Sequence, residues 1–241
     1  MRKVYLDNAA TTPMDPQIIE MMSDMMHKDF ANPSSSHSFG RKSKTIVENA
    51  RKVIADLLNT SPGSIYFTSG GTEADNMAIK CGIIDYDIKH AITSRISHHA
   101  VLYPLEELVL ERKIDLSYVQ IDNNGVISLS HLERLLKNNP KTFVSIMHAN
   151  NEIGTIQDIK KIGDVCREYN AIFHSDTVQT IGHFPFDMQM LNIDFMAASA
   201  HKFHGPKGVG FIYISEDIEI KPFLLGGGQE RNMRAGTENI H

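Results

Sequence analysis

The stretch Ile65-Tyr66-Phe67-Thr68-Ser69-Gly70-Gly71-Thr72-Glu73-Ala74 decides the fold. Four β-prone residues run into a glycine pair, and then into a segment where Ala74, Met77, Ala78 and Cys81 recur at helical spacing. It reads as strand, tight turn, helix. The same alternation extends along the chain. Short apolar strands are expected at His90 to Ser94, Leu116 to Ile121, Phe143 to Met147, Ala171 to Ser175, Phe195 to Ala198 and Gly208 to Ile214, with helical stretches between most of them. Upstream, Arg41 to Leu58 reads as a helix. Asp15 to Lys28 reads as another, with Ile18, Met22, Met25 and Met26 expected to form a buried core stripe. Strands alternating with helices imply a three-layer α/β/α domain with a mostly parallel central sheet. Ligands in such sheets sit beyond the carboxyl ends of the strands.

Composition bounds the rest. The 241 residues suffice for one large domain, with no internal repeat and no low-complexity linker. A net charge of -5 without a clustered basic face argues against a nucleic-acid partner. Charges interrupt every apolar stretch before it reaches spanning length, so no membrane partner is expected. The start, Met1-Arg2-Lys3-Val4-Tyr5-Leu6-Asp7, reaches an acid before an apolar signal region builds, and a cytoplasmic location is expected by default. The two cysteines, Cys81 and Cys166, both fall on apolar helical stripes and are expected to be inert core residues. Among twelve histidines no pair has a ligand-like spacing with a carboxylate, so no metal is expected.

Three places carry chemistry. The turn before Thr72 could bring backbone N–H groups and a helix N-terminus to a phosphate, or could be a plain glycine turn with Thr72 as N-cap. Asp176, at the end of the strand Phe173-His174-Ser175, could face a ligand or cap a following helix, and Gln179 lies three residues on. Beside a pyridine nitrogen such a carboxylate keeps the ring protonated and strengthens its electron sink. Lys202 directly follows an apolar strand in Ser199-Ala200-His201-Lys202. A poorly solvated lysine there has a lowered pKa and supplies the neutral amine that a Schiff base needs, whereas most lysines at strand ends are simply solvated. Ser199 and His201 flank it with two possible phosphate ligands. The loops Asn32 to His37, Ser97-His98-His99 and His148-Ala149-Asn150-Asn151-Glu152 are unusually polar for connections between core strands.

Tyr5 to Thr12, Asn32 to His37, Thr68 to Asn76, His148 to Gly154, Ser199 to Lys202 and Arg234-Ala235-Gly236-Thr237-Glu238-Asn239 together resemble the cysteine desulfurases, in the class V aminotransferase group with fold type I architecture. The resemblance runs along essentially the whole chain. It implies pyridoxal 5'-phosphate as cofactor, with Lys202 as its covalent anchor and shuttle for the Cα proton. Asp176 would pair with the ring nitrogen and Gln179 with the ring hydroxyl. Gly71, Thr72, Ser199 and His201 would hold the phosphate. His98 would lie on the ring face and handle protons near the substrate thiol, and Asn151 would contact ring substituents and the substrate carboxylate. Thr237 would reach the phosphate of the other subunit of a homodimer. The implied reaction converts L-cysteine to L-alanine, passing sulfur to an enzyme cysteine as a persulfide, for a sulfur-acceptor or scaffold protein in iron–sulfur cluster or thiolation pathways.

Members of that family continue into a second domain that supplies the persulfide cysteine. The expectation is therefore that residues 1–241 form the large domain, that residues 1–14 would pack on a small domain absent here, and that this chain alone does not turn over. A selenocysteine lyase or another class V lyase or aminotransferase shares the same cofactor cup. A non-enzymatic reading, a cofactor-binding dimerising fragment, also stays open. Departures from the family pattern are Ser97 before the histidine, Ala200 before His201, and Thr177, expected under the ring in place of alanine.

Overall fold

The computed structural model describes residues 2–139 and 141–241. Its strands are β1 (Ile65–Thr68), β2 (His90–Thr93), β3 (Asp115–Tyr118), β4 (Thr142–Ser145), β5 (Ile172–Asp176), β6 (Phe195–Ser199) and β7 (Gly210–Ile214). They form one seven-stranded sheet in the order β1-β7-β6-β5-β4-β2-β3. Every pairing is parallel except those of β7, which runs antiparallel to both β1 and β6. The carboxyl ends of β1, β2, β4, β5 and β6 therefore lie along one edge, where β7 begins. The expected architecture is observed, with strand ends shifted by no more than three residues.

Among the described residues there are six α-helices, of which all but the first pack on the sheet or on its covering helices: α1 (Pro16–Lys28), α2 (Ser38–Leu57), α3 (Gly71–Ile84), α4 (His99–Leu110), α5 (Leu129–Asn138) and α6 (Ile159–Glu168). Alternate residues of a strand face opposite sides, and the two cores follow that parity. Val144, Phe173, Met196 and Ala198 pack with α2, α5 and α6 on one face. Phe143, Ile172, Phe195 and Ala197 pack with α3 and α4 on the other. Cys166 and Cys81 lie in these two clusters, buried as expected. Burial pushes the Cys81 thiol up to about 12, and that of Cys166 upward also.

Helix α1 departs from the reading of its sequence. Asp15 caps it by accepting from the Gln17 N–H at 2.8 Å, and Pro16 suits the first turn. Yet none of its residues is buried: Ile18, Met22 and Met25 are half-covered and Met26 is exposed. The apolar stripe is real, but among the described residues it meets no layer that covers it fully.

Residues 7–15 follow a path the sequence does not disclose. The expectation for residues 1–14 was packing against a further domain; Met1 lies outside the described residues. Here the Thr12 N–H donates to the His201 carbonyl at 2.9 Å and the Asp15 N–H to that of His204 at 3.0 Å, so the segment lies on the turn that carries Lys202.

The glycine turn after β1 needs its glycines. Gly70 has φ 150°, a conformation side chains rarely adopt, and a Cβ on Gly210 would stand 2.8 Å from the Gly70 Cα. Such overpacking costs about 1–3 kcal/mol. Gly210→Ala is thus expected to lower the urea midpoint of unfolding, and an unchanged midpoint would show that the turn and β7 can move apart freely.

Candidate active site

The loops that follow the aligned strand ends enclose a cleft of about 410 Å³. Each contributes one part. After β1 come Ser69, Gly70, Gly71 and Thr72; after β2, His98; after β4, Asn151; at the end of β5, Asp176 and Gln179; after β6, Ser199, His201 and Lys202. Nine of the residues singled out from sequence thus converge, and the physical reason is the common direction of these strands. Thr237 does not join them: it lines a separate apolar pocket with Met21, Met25, Phe67 and Ile240.

At one end of the cleft stands the N-terminus of α3. Gly70 is its N-cap, so the expectation of Thr72 as cap is corrected, and no side chain caps the helix. The free N–H groups of the first turn therefore point to a site fit for an anion. Glu73 stiffens this turn: its carboxylate accepts the Ser69 N–H at 2.7 Å and the Arg234 Nε at 2.7 Å.

The Lys202 ammonium donates to the carbonyls of Ala9 at 2.5 Å and Ala10 at 3.0 Å, with no carboxylate among the described residues in contact. Burial lowers its pKa, opposed by the fields of Asp176 and Asp7. Gln179 Nε2 donates to the same Ala9 carbonyl at 2.9 Å. His201 Nδ1 stands 3.2 Å from the Thr11 hydroxyl. The N-terminal segment thus supplies neutral acceptors to the two side chains that its sequence gave no reason to connect with it.

Asp176 is buried, and its carboxylate accepts the Val178 N–H at 3.0 Å. No helix follows it, so it is not an N-cap. Burial, then the field of Asp75, push it up to about 7. A cation placed against it would reverse that shift. Thr177 does not lie under the cleft: its hydroxyl donates to the Ala197 carbonyl at 2.8 Å inside the sheet, and Val178 lines the cleft instead. The turn that follows β5 decides this: it closes on the Thr177 carbonyl, which accepts the N–H groups of Thr180 and Ile181. Ser97, the other departure, is buried with its hydroxyl 3.1 Å from that of Thr93.

His98 caps α4, its Nδ1 accepting the Ala100 N–H at 3.1 Å, so a neutral ring carries its proton on Nε2. In the loop after β4, Asn150 is structural. It donates to the Ile96 carbonyl at 2.7 Å and accepts from the N–H groups of Glu152 and Ile153. That clamp sets the neighbouring Asn151 in the cleft. Sequence reasoning passed over Asp75, Met147, Val178 and Lys207, which also line it. Asp75 is the one with a legible signal, an acid on the apolar face of α3.

Among the described residues, no group of three His, Cys, Asp or Glu side chains could hold a metal ion, and no helix is long and apolar enough to cross a membrane. The site suits an organic phosphate. An uncapped helix end, a lysine without a counter-ion and a buried acid across the same cleft are the parts that pyridoxal phosphate requires.

Fold and site together define a three-layer domain of the fold type I pyridoxal-phosphate class. The chain belongs to the Aminotransferase class-V family, which it matches over residues 4–241, and enzymes of this group depend on pyridoxal phosphate. It is 46% identical over 245 residues to the cysteine desulfurase IscS of Dictyoglomus turgidum, covering 99% of this chain and 61% of that protein. It is 45% identical over 242 residues to the putative cysteine desulfurase IscS 1 of Bacillus subtilis, covering 100% and 63%. Among solved structures, a NifS-like protein superposes with a TM-score of 0.95 at 40% identity, covering 99% of this chain and 66% of that one. SspA in complex with cysteine superposes at 0.93 with 36% identity, covering 99% and 69%. The chain therefore spans 61% and 63% of the lengths of the two curated relatives.

Proposed function

We propose that this chain is the cofactor-binding domain of a cysteine desulfurase, acting on L-cysteine and releasing L-alanine while the sulfur passes to a cysteine as a persulfide. The observation that carries the reading is the convergence of Lys202, Asp176 and the uncapped α3 turn on one cleft. Pyridoxal phosphate, when bound, supplies the electron sink that weakens the bonds to the substrate Cα.

The chain's own residues supply the rest. Lys202, with its lowered pKa, offers a neutral amine for covalent attachment and then a base at Nζ for the Cα proton. Asp176 would hold a positive charge at the ring nitrogen, and Gln179 would bond the ring hydroxyl. The N–H groups of Gly71 and Thr72, with Ser199 and His201, bind the phosphate. His98 would lie against the ring and move the thiol proton at Nε2. Asn151 orients the substrate carboxylate. Thr237, outside the cleft of its own chain, is assigned to the phosphate site of a second copy in a homodimer. A sulfur-acceptor or scaffold protein completes the assembly.

Cys81 and Cys166 are both buried with raised thiol pKa values, so neither is the sulfur-carrying nucleophile. The test follows. Added pyridoxal phosphate is expected to turn the protein yellow, whereas L-cysteine is expected to release alanine and sulfide very slowly or not at all. Rapid persulfide formation on Cys81 or Cys166, or no coloured complex, would overturn the assignment.

A further inference from the structure

Behind Asp176, on the sheet face that α3 covers, lie two more titratable groups that the reaction above does not use. His174 precedes Asp176 by two residues on β5 and so shares its face. Asp75 comes from the second turn of α3 and reaches the cleft floor. Both side chains are buried, and His174 Nε2 lies 3.3 Å from Asp75 Oδ1. Neither of these atoms makes a hydrogen bond with any described residue, the 3.3 Å approach to each other included. The opposite ring nitrogen, Nδ1, stands 2.9 Å from the Ser145 hydroxyl, and Phe143 stacks on the ring at 6.2 Å.

An ionised Asp75 would be a fully buried carboxylate with no backbone N–H, lysine or arginine against it, and burying such an uncompensated charge is costly. Its environment contrasts with that of Asp176, which has the Val178 N–H and the fields of His98 and Lys202. We propose that Asp75 is a neutral acid sharing its proton with Nε2 of His174, a buried positioning pair that leaves Asp176 to carry the negative charge on the cleft floor alone. The pair deepens the function proposed above: an anionic Asp75 would drive a proton onto Asp176 and remove the charge that is to face the ring nitrogen.

The groups facing this pair are Asp176 on β5, His98 at the start of α4, and Lys202 after β6 with Asp7 beyond it. Burial raises Asp75 to about 8 and lowers His174 to about 4. For a carboxyl raised in the folded state, the stabilisation is complete below its unfolded pKa and is lost as the pH rises through the folded value. Asp176, raised to about 7, has the same sign but is already about half ionised there, so its share of the slope fades as the pH rises further. His174 acts oppositely, losing stability only as the pH falls below its unfolded value. Between about pH 7 and 8 the slope therefore belongs mainly to Asp75.

The cofactor-free protein is expected to gain up to about tenfold in its unfolding constant over that unit of pH. Asp75→Asn, which mimics the neutral acid, is expected to flatten the slope. In the wild-type protein the carboxyl carbon of Asp75 should show the protonated chemical shift at about pH 6, near which an ordinary aspartate is ionised. In the cofactor-loaded protein the pH midpoint of the absorbance band should be the same in Asp75→Asn and wild type. An ionised Asp75 carbon at that pH, an unaltered slope in the variant, or a moved absorbance midpoint would overturn the proposal. Failure to load cofactor would defeat the proposed function instead, leaving the first two measurements to judge the pair.

Discussion

Lys202→Ala is expected to fold normally and to yield no borohydride-trappable cofactor. The lysine is half-buried and its contacts are two backbone carbonyls, so its removal should change stability by no more than about 0.5 kcal/mol, the range of ordinary substitutions. The anion site at α3 is untouched, so weak, non-covalent binding of pyridoxal phosphate should persist and be displaced by inorganic phosphate. Lys202→Arg sharpens the experiment. It keeps the positive charge near Asp176 but cannot present a neutral amine, because guanidinium stays protonated. It too should trap nothing. Covalent trapping retained in either variant, located by peptide mapping to Lys207 or another lysine, would refute the anchor.

The second large effect lies far from the chemistry. Glu230→Ala is expected to destabilise the protein by about 3–5 kcal/mol, because it leaves Arg51 buried and without its principal counter-charge. Arg51 is 1% exposed and Glu230 is 4% exposed. Their two hydrogen bonds, 2.8 and 2.9 Å, form a bidentate pair. Both residues also close the open edge of β1: Glu230 accepts the Phe67 N–H at 2.8 Å, and Arg51 donates to the Ile65 carbonyl at 2.8 Å. The turn that delivers Glu230 is itself costly, since Glu230, Arg231 and Asn232 have φ of 45°, 54° and 69° in succession. Arg231 holds that turn down, stacked 4.2 Å over Tyr66. Without Glu230 the edge strand would regain unpaired backbone groups and the turn would lose its reason to stay left-handed.

The expected signs are a thermal midpoint lower by roughly 10 °C and new proteolytic cuts near residues 229–235. Replacing Arg51 and Glu230 together by methionine should recover much of the loss, since an apolar pair of similar volume leaves no buried charge. A Glu230→Ala protein as stable as wild type would show that the pair contributes nothing beyond packing.

Much of the site was legible because its signals are local. Lys202 directly follows a strand, Asp176 ends one, and Gly70-Gly71 joins a strand to a helix; each statement needs only neighbouring residues and the rule that strands in such a sheet point the same way. The misreadings share a cause. Thr177 is expected under the ring, but the turn after β5 directs its hydroxyl inward, toward the Ala197 carbonyl. The methionines of α1 were read as core because periodicity reports that a stripe exists, not what lies against it.

What the sequence by itself determined is the alternation of strands and helices, the burial of Cys81 and Cys166, and the identity of most side chains at the strand ends. These depend on periodicity and on turn chemistry, which act over a few residues. Only the tertiary structure decided that Ala9 would meet Lys202 and Gln179, that Glu230 would meet Arg51, and that Asp75 would face His174. Such pairs join segments up to 193 residues apart, and their partners are chosen by sheet order and by which helix covers which face. The place of Lys202 at a strand end is thus readable from its neighbours alone, but the carbonyls that hold its amine come from the other end of the chain.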